Sequence, residues 1–407
     1  MGSSAKAPPA SISRVILRNY KSIEHCDVRL GPLNVLIGPN GAGKSNFIDA
    51  LRLVSDALRY TLGNALRERG GINEVRRRSR GHPTHFEIQL ELSVSPGWLI
   101  IYGFRVGSKP KGGFSVQWER CRVTSTTELG LSGSYEVKEG TLSSSNPKLS
   151  AAPSPDRLYL TAVSAAGPLR VAFDALTSMG FYNPNPDRIK DLQNPDTGDL
   201  LLRDGSNLAS VLARMDKAAL RRITEYLEVV VPGIRGIEPK TLGHKVTFEV
   251  LQEVAGETHP WRFPAVTVSD GTLRSLAILA ALHQRSSAVK TPMTVVGVEE
   301  PETALHPGAA AALSDALIES SHNVQIIATS HSPELLDNQD IPPDAILAVV
   351  ADRGQTQIGP VDPSARRALS SHLYTTGQLL KMGQLQPDQV ELRKLRQTTL
   401  FADTEQS

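Results

Sequence analysis

The chain has 407 residues, 40% of them hydrophobic and 21% charged, which is ordinary globular usage with room for two or so compact units. Its net charge of +2 is too mild to predict nucleic-acid binding by itself, and its longest apolar run, near residues 276–282, is far too short to cross a bilayer. Cys26 and Cys121 fit neither a metal spacing nor a disulfide framework, and no signal-peptide pattern appears, so a cytoplasmic protein without a membrane partner is expected.

Residues 1–11, rich in Ser, Ala and Pro, are expected to be disordered. Leu33-Asn-Val-Leu-Ile37 reads as a buried strand. That strand runs into Gly38-Pro-Asn-Gly-Ala-Gly-Lys-Ser45, a complete G-x-x-x-x-G-K-[ST] loop, and then into a helix with Phe47, Ile48, Leu51 and Val54 on one face. With a strand before it and a helix after it, the motif is a phosphate cradle. Gly38, Gly41 and Gly43 let the backbone curl so that its N–H groups converge on a β-phosphate at the positive end of the helix. Lys44 would neutralise β- and γ-phosphate charge, and the Ser45 hydroxyl would hold Mg2+. The nucleotide-contacting set is Gly38, Pro39, Asn40, Gly41, Ala42, Gly43, Lys44, Ser45 and Asn46, and the expected ligands are a nucleoside triphosphate and Mg2+.

Further along, Arg76-Arg-Arg-Ser-Arg80 reads either as a solvated basic loop or as a contact to a phosphate backbone. Alternation over 84–94, 98–106, 114–124 and 135–139 predicts antiparallel strands, whereas 128–157, rich in Ser, Gly and Pro, reads as a flexible loop. The pattern turns helical from 186 to about 227, with Leu208, Val211, Leu212 and Met215 on one side, and returns to strand over 245–253 and 261–268. Val268-Ser-Asp-Gly-Thr-Leu-Arg274 then opens a helix, which puts Ser269, Asp270 and Gly271 at a helix N-terminus, a second anion site.

Residues 292–300 form an apolar strand ending in two adjacent carboxylates. Side chains alternate along a strand end, so Glu299 and Glu300 cannot share one job. Glu299 is assigned to the Mg2+ shell, and Glu300 to orienting and polarising the water that attacks a γ-phosphate. Thr303-Ala-Leu-His-Pro307 leads into an Ala-rich helix, and Val324-Gln-Ile-Ile-Ala-Thr329 makes another apolar strand, capped by Ser330 and His331. Residues 365–407 read as a helical tail.

Phosphate loop, helix-capping Ser-x-Gly, strand with Glu-Glu and strand with His come in the order found in ABC-type ATPase heads. On these residues the chain resembles the RecF/SMC/OLD-like ABC ATPases, those without a transporter membrane domain; the carrying segments are 38–46, 269–274, 299–307 and 329–333. The resemblance implies an α/β fold, an ABC-type P-loop NTPase head with an antiparallel β subdomain and a mainly helical insertion. The 224 positions between Ser45 and Ser269 exceed what a minimal head of this kind needs, which is the ground for the insertion. The expected organisation is a disordered N-terminus over 1–11, a first nucleotide-binding lobe with the antiparallel subdomain over 12–164 and the insertion over 165–240. A second lobe over 241–364 and a helical tail over 365–407 complete it.

By the same resemblance the nucleotide is ATP, and Ser269 and Gly271 match the signature loop that contacts the γ-phosphate held by a second subunit. Glu299 matches the usual Walker B Asp, Glu300 the catalytic Glu, His331 the switch histidine and Lys21 a basic residue that contacts nucleotide. Lys44, Glu300 and His331 form the expected catalytic set. Thr303 and Ala304 fall where the D-loop crosses between subunits, and Gln89 is a candidate for the Q-loop glutamine. One phosphate loop and one signature loop per chain imply a homodimer enclosing two ATP molecules, or a higher assembly built from such dimers.

No sustained heptad pattern supports a long coiled-coil arm. The 76 residues after His331 hold no acidic cluster like that of a Toprim nuclease, so nuclease or toxin activity is expected to belong to a separate effector. Asp337, Asp340, Asp344 and Asp352 read as surface. Two functions stay open. One is an ATP-hydrolysing switch for DNA or a partner effector, in bacterial defence or genome maintenance; the other is a non-hydrolysing, ATP-dependent scaffold.

Overall fold

The computed structural model describes residues 8–79, 83–110, 112–127, 130–284, 293–303, 305 and 307–396. Strands β1 (Ala10–Tyr20) and β2 (Ile23–Arg29) pair as a hairpin, and β3 (Leu33–Ile37) leaves for a different sheet. After the helix Lys44–Arg59, the strands β4 (His85–Val94), β5 (Trp98–Ser108), β6 (Phe114–Ser125), β7 (Ser132–Lys138) and β8 (Thr141–Asn146) extend the hairpin. The result is a seven-stranded antiparallel sheet of order β2-β1-β4-β5-β6-β7-β8. Its period-two pattern buries one face: Phe86, Ile88, Leu90, Leu92 and Val94 of β4 all enter one core.

The β7–β8 hairpin corrects the expectation of a flexible loop over 128–157. Tyr135 and Val137 are buried, and Glu139 and Gly140 supply the left-handed turn (φ 46° and 74°), so pairing with β7 holds the polar strand β8 in place.

The stretch 165–240, expected as a mainly helical insertion, also supplies β9 (Met179–Tyr182) to the central sheet. A small antiparallel sheet follows, made of β10 (Ile234–Leu242), β11 (Lys245–Gln252) and β12 (Trp261–Pro264). Strand β12 stops at Pro264 and not at 268, because a 3-10 turn over Ala265–Thr267 leads straight into the cap residue Ser269. The last strands are β13 (Val295–Glu299), β14 (Gln325–Ser330), β15 (Ile346–Asp352) and β16 (Gln355–Pro360).

The central sheet has the order β16-β15-β3-β14-β13-β9, and every pairing in it is parallel except β15 with β16. All of β3 and all of β14 are buried, as expected for parallel strands covered on both faces. Leu36, Val295 and Ile327 face a core shared with the antiparallel sheet and the helix Lys44–Arg59. Leu33, Val35, Ile37, Val296, Val298, Ile326 and Ala328 face a second core, filled by the helices Leu208–Arg214, Lys217–Val230, Asp270–His283 and Pro307–Ser321. Helices Pro363–Ser370, Thr376–Lys381 and Gln389–Arg396 follow β16. Asp337, Asp340, Asp344 and Asp352 are exposed, and no helix among the described residues is long and apolar enough to cross a membrane.

One buried side chain links the two large sheets. The pairing of β1 with β2 begins at Arg14, and the Gln325 amide of β14 bonds the backbone of Ile12 just beyond it. Its Oε1 accepts from Ile12 N (2.8 Å), and its Nε2 donates to Ile12 O (2.8 Å) and Gly31 O (2.7 Å). Gln325→Leu would take the partner from Ile12 N and Ile12 O, whereas Gly31 O keeps Asn34 Nδ2 (2.7 Å), so we expect a loss of about 2 kcal/mol in urea unfolding. A loss well under 1 kcal/mol would show that the two sheets are held together by packing alone.

Candidate functional site

Parallel register brings three distant segments to one edge. Ser330 of β14 stands beside Ile37 of β3, and Thr329 stands beside Glu299 of β13. The next residue of each chain segment therefore leaves the sheet at the same end: Gly38, His331 and Glu300. Because β14 lies between β3 and β13, His331 leaves between the phosphate loop and the acidic turn.

The loop at the end of β3 is held by close packing and a hydroxyl chain. A Cβ on Gly38 would lie 2.0 Å from the Val349 carbonyl oxygen on β15, and one on Gly43 (φ 103°) would lie 2.1 Å from Thr356 Oγ1. Thr356 Oγ1 donates to Ala42 O (2.8 Å) and shares a hydrogen bond with Ser22 Oγ (2.7 Å), to which Asn46 Nδ2 also donates (2.6 Å). Asn46 thus braces the loop. Gly43 gives the following helix no side-chain cap, so its first N–H groups stay available to an anion. Pro39, Asn40, Gly41 and Ser45 are exposed around this opening.

The Lys44 ammonium is buried and donates only to loop carbonyls, Gly38 O (2.7 Å) and Pro39 O (3.1 Å). Burial lowers its pKa, and the charges of Glu300 and Glu302 oppose that shift. Glu300 has a left-handed backbone (φ 44°), and its N–H donates to Thr329 O and Thr329 Oγ1, both at 3.1 Å. His331 Nδ1 lies 3.3 Å from Glu300 Oε1 and 3.9 Å from Glu302 Oε1.

The structure therefore brings Lys44, Glu300 and His331 together and adds Glu302, which sequence reasoning missed. Glu302 is 8% exposed; its Oε1 accepts from Ser330 Oγ (2.7 Å) and His331 N (3.2 Å), while its buried Oε2 has no partner among the described residues. The signal available was a third acidic residue two positions after Glu300 in Glu299-Glu-Pro-Glu302. Glu299 is engaged elsewhere, its Oε1 accepting from the Arg203 guanidinium at 2.8 Å.

Other assigned residues lie apart from this group or have other partners. Ser269 is exposed and caps the helix Asp270–His283, accepting from Thr272 N (3.3 Å), while Gly271 lies in its first turn and Asp270 pairs with Lys190. Arg274, one turn into that helix, reaches back to the carbonyls of Glu299 and Glu300. Gln89 sits in the middle of β4, opposite Ile16 and Gly103, and not in a loop. Arg76, Arg77 and Arg78 donate to Pro83 O, Ser22 O and the Glu74 carboxylate, which favours the local reading of that cluster; Arg80 and Ala304 lie outside the described residues.

Lys21 is paired with a carboxylate of its own chain. Its Nζ lies 2.6 Å from Asp49 Oδ2 on the phosphate-loop helix, and Asp49 also accepts from Arg52 (2.8 Å), Arg69 (2.9 Å) and the Tyr20 hydroxyl (2.8 Å). The Lys21 charge is thus spent on a carboxylate beneath the loop.

The donor set suits a magnesium-bound triphosphate: uncapped helix amides, a buried ammonium that among the described residues bonds to carbonyls, and Glu302, whose Oε2 has no partner among those residues and whose charge acts on that ammonium. The fold and this edge define the chain as an ABC-type P-loop ATPase head of the RecF/SMC/OLD-like group. Residues 33–337 match the family model "AAA domain, putative AbiEii toxin, Type IV TA system", and the chain belongs to that family.

Among curated relatives, "DNA replication and repair protein RecF" of Vibrio vulnificus is 43% identical over 44 residues, covering 11% of this chain and 12% of that protein. The "OLD nuclease" of Thermus scotoductus is 42% identical over 43 residues, covering 11% and 8%. "Structural maintenance of chromosomes protein 5" of Schizosaccharomyces pombe is 28% identical over 120 residues, covering 29% and 10%. The matched stretch is thus about a tenth of each relative's length. Among solved structures, the SmcHead bound to the C-winged helix domain of ScpA superposes with a TM-score of 0.54 at 14% identity, over 87% of this chain and 99% of that one, which shows a shared fold.

The Asp49 cluster makes a pH prediction. Burial alone would raise the Asp49 pKa, but the charges of Arg69, Lys21 and Arg52 outweigh it and hold the group at about 2, down from 3.8. A depressed pKa adds stability above the unfolded value that is lost as pH falls through the folded one, here roughly 2 kcal/mol in total. The stability gap between wild type and Asp49→Asn should therefore narrow by about 1 kcal/mol between pH 6 and pH 3. A gap independent of pH would mean that Asp49 contributes shape and not charge.

Proposed function

We propose that the chain hydrolyses ATP at the edge formed by the phosphate loop, Glu300 and His331, and that closure of two copies around the nucleotide is the functional event. The observation that carries this reading is the approach of Glu300 Oε1 to His331 Nδ1 at 3.3 Å, in a turn whose charge is felt by Lys44. Gly38 to Asn46 would cradle the phosphates, with Lys44 leaving its loop carbonyls for the β- and γ-phosphate oxygens. Glu300 would orient a water against the γ-phosphate and take its proton, and His331 would hold a γ-phosphate oxygen from the neighbouring strand end. Ser45 and Glu299 are the groups that would share a magnesium ion, which supplies charge neutralisation for the leaving phosphates; Glu299 would first have to release Arg203.

Ser269 and Gly271 would complete the site of a second copy. They stand at an accessible helix N-terminus on a segment distinct from the phosphate loop, which suits a contact made across subunits. ATP-driven closure would then act as a switch for DNA or for a separate effector such as a nuclease or toxin. The names of the relatives support this setting: a DNA replication and repair protein, a nuclease, and a family described through a toxin–antitoxin system. Bacterial defence and genome maintenance are the two roles in view.

Glu300→Gln is expected to lower kcat by about 100-fold or more while keeping ATP bound and the dimer closed, as seen by light scattering with ATP. Lys44→Ala should lose tight ATP binding. Wild-type turnover in Glu300→Gln would move the base elsewhere.

A further inference from the structure

The helix Asp270–His283 and its cap residue Ser269 present two kinds of residue about a turn and a half apart. Ser269 is exposed at its start, whereas Arg274 is 8% exposed and is directed into the chain's own acidic edge. Its Nη1 donates to Pro184 O (2.8 Å), and its Nη2 meets Asn183 Oδ1 (3.1 Å), Glu299 O (3.0 Å) and Glu300 O (3.2 Å). One guanidinium thus joins the signature helix to the residues just after β9 and to the end of β13.

Two of those acceptors matter most. Glu300 holds a left-handed backbone that a residue with a side chain keeps only when its surroundings enforce it. Thr329 takes its N–H on one side, through Thr329 O and Oγ1, and Arg274 takes its carbonyl on the other. Thr303 N–H also donates to that carbonyl (3.0 Å) from within the same turn, whereas Arg274 reaches it from another element, the helix that starts at the proposed inter-subunit contact. Without Arg274 that carbonyl keeps, among the described residues, only the bond from Thr303 within its own turn, so the turn as a whole is freer to shift and to carry the carboxylate away from His331.

We propose that Arg274 is a positioning residue: it fixes the Glu300 backbone and makes hydrolysis in one copy depend on where that copy's own signature helix sits. The inference rests on the reading of Glu300 as the base. Because the Ser269 end of the helix would touch the partner's nucleotide, ATP bound in one site reaches the carboxylate of the other through this guanidinium. A lysine keeps the charge but lacks the planar fork that spans Pro184, Glu299 and Glu300.

The test compares Arg274→Met and Arg274→Lys with wild type in the full chain, by steady-state ATP hydrolysis and amide hydrogen exchange. The expected result for Arg274→Met is a fall in kcat of about tenfold or more, with KM for ATP changed by less than about threefold. Arg274→Lys should regain an intermediate rate. The peptide spanning residues 298–303 should exchange faster in both variants, while the segment 33–37 exchanges as in wild type. In a Glu300→Gln background, Arg274→Met should cost no more than about twofold further, because the residue acts through Glu300.

Wild-type kcat in Arg274→Met, unchanged exchange over 298–303, or an undiminished effect in the Glu300→Gln background would each overturn the proposal. Should Arg274→Met fail to show a cooperative melt, Arg274→Lys is read by the same criteria. Full turnover in Glu300→Gln alone would instead remove the reading of the base on which this inference stands.

Discussion

The parallel pairing of β14 with β3 on one side and β13 on the other is the constraint from which the site follows. Strands in a sheet lie about 4.8 Å apart, so one intervening strand sets the phosphate loop and the acidic turn about 10 Å apart at their bases. That leaves a span that a phosphate group and a water can fill, with His331 issuing between the two. Had β3 and β13 been neighbours, Lys44 and Glu300 would close on each other as an ion pair. The complete burial of β14 makes the spacing rigid, since a one-residue slip would turn core side chains toward the wrong face.

Charge balance is the second layer. Glu299, Glu300 and Glu302 meet two buried cations, Lys44 and Arg274, whose pKa values burial lowers and those carboxylates hold up. Both cations bond mainly to carbonyl oxygens, and Lys44 can exchange such bonds for phosphate oxygens without stranding a carboxylate it was paired with. Lys21 is in the opposite situation. Bound to Asp49 together with Arg69 and Arg52, it belongs to a network that fixes the phosphate-loop helix against the first hairpin.

What could be read from the sequence was local. The phosphate loop declares itself in eight consecutive residues, and β4 in strict alternation, because one buried face imposes a period of two; β5 and β6 follow it more loosely. Strand β9 has only four residues, all buried, and offers no alternation to detect. Strand β8 is polar and exists because β7 pairs with it.

The parts of the site that escaped are long-range. Thr356 braces Ala42 across 314 positions, and Arg274 meets Glu299 and Glu300 across 25 and 26. Neither residue type announces such a role in its own neighbourhood. The resemblance that singled out Lys21 said nothing of its ion pair with Asp49, 28 positions away.

The central claim is that each ATP site is built from two copies, and mixing two inactive variants tests it most directly. Lys44→Ala removes the phosphate loop of its chain, and Ser269→Arg blocks the signature contact of its chain, so each variant alone should be inactive as a homodimer. In a mixed dimer one site keeps the intact loop of one chain and the intact signature residues of the other. The account predicts that combining the two preparations restores ATP hydrolysis; a mixture as inactive as its parts, with mixed dimers shown to form, would contradict it.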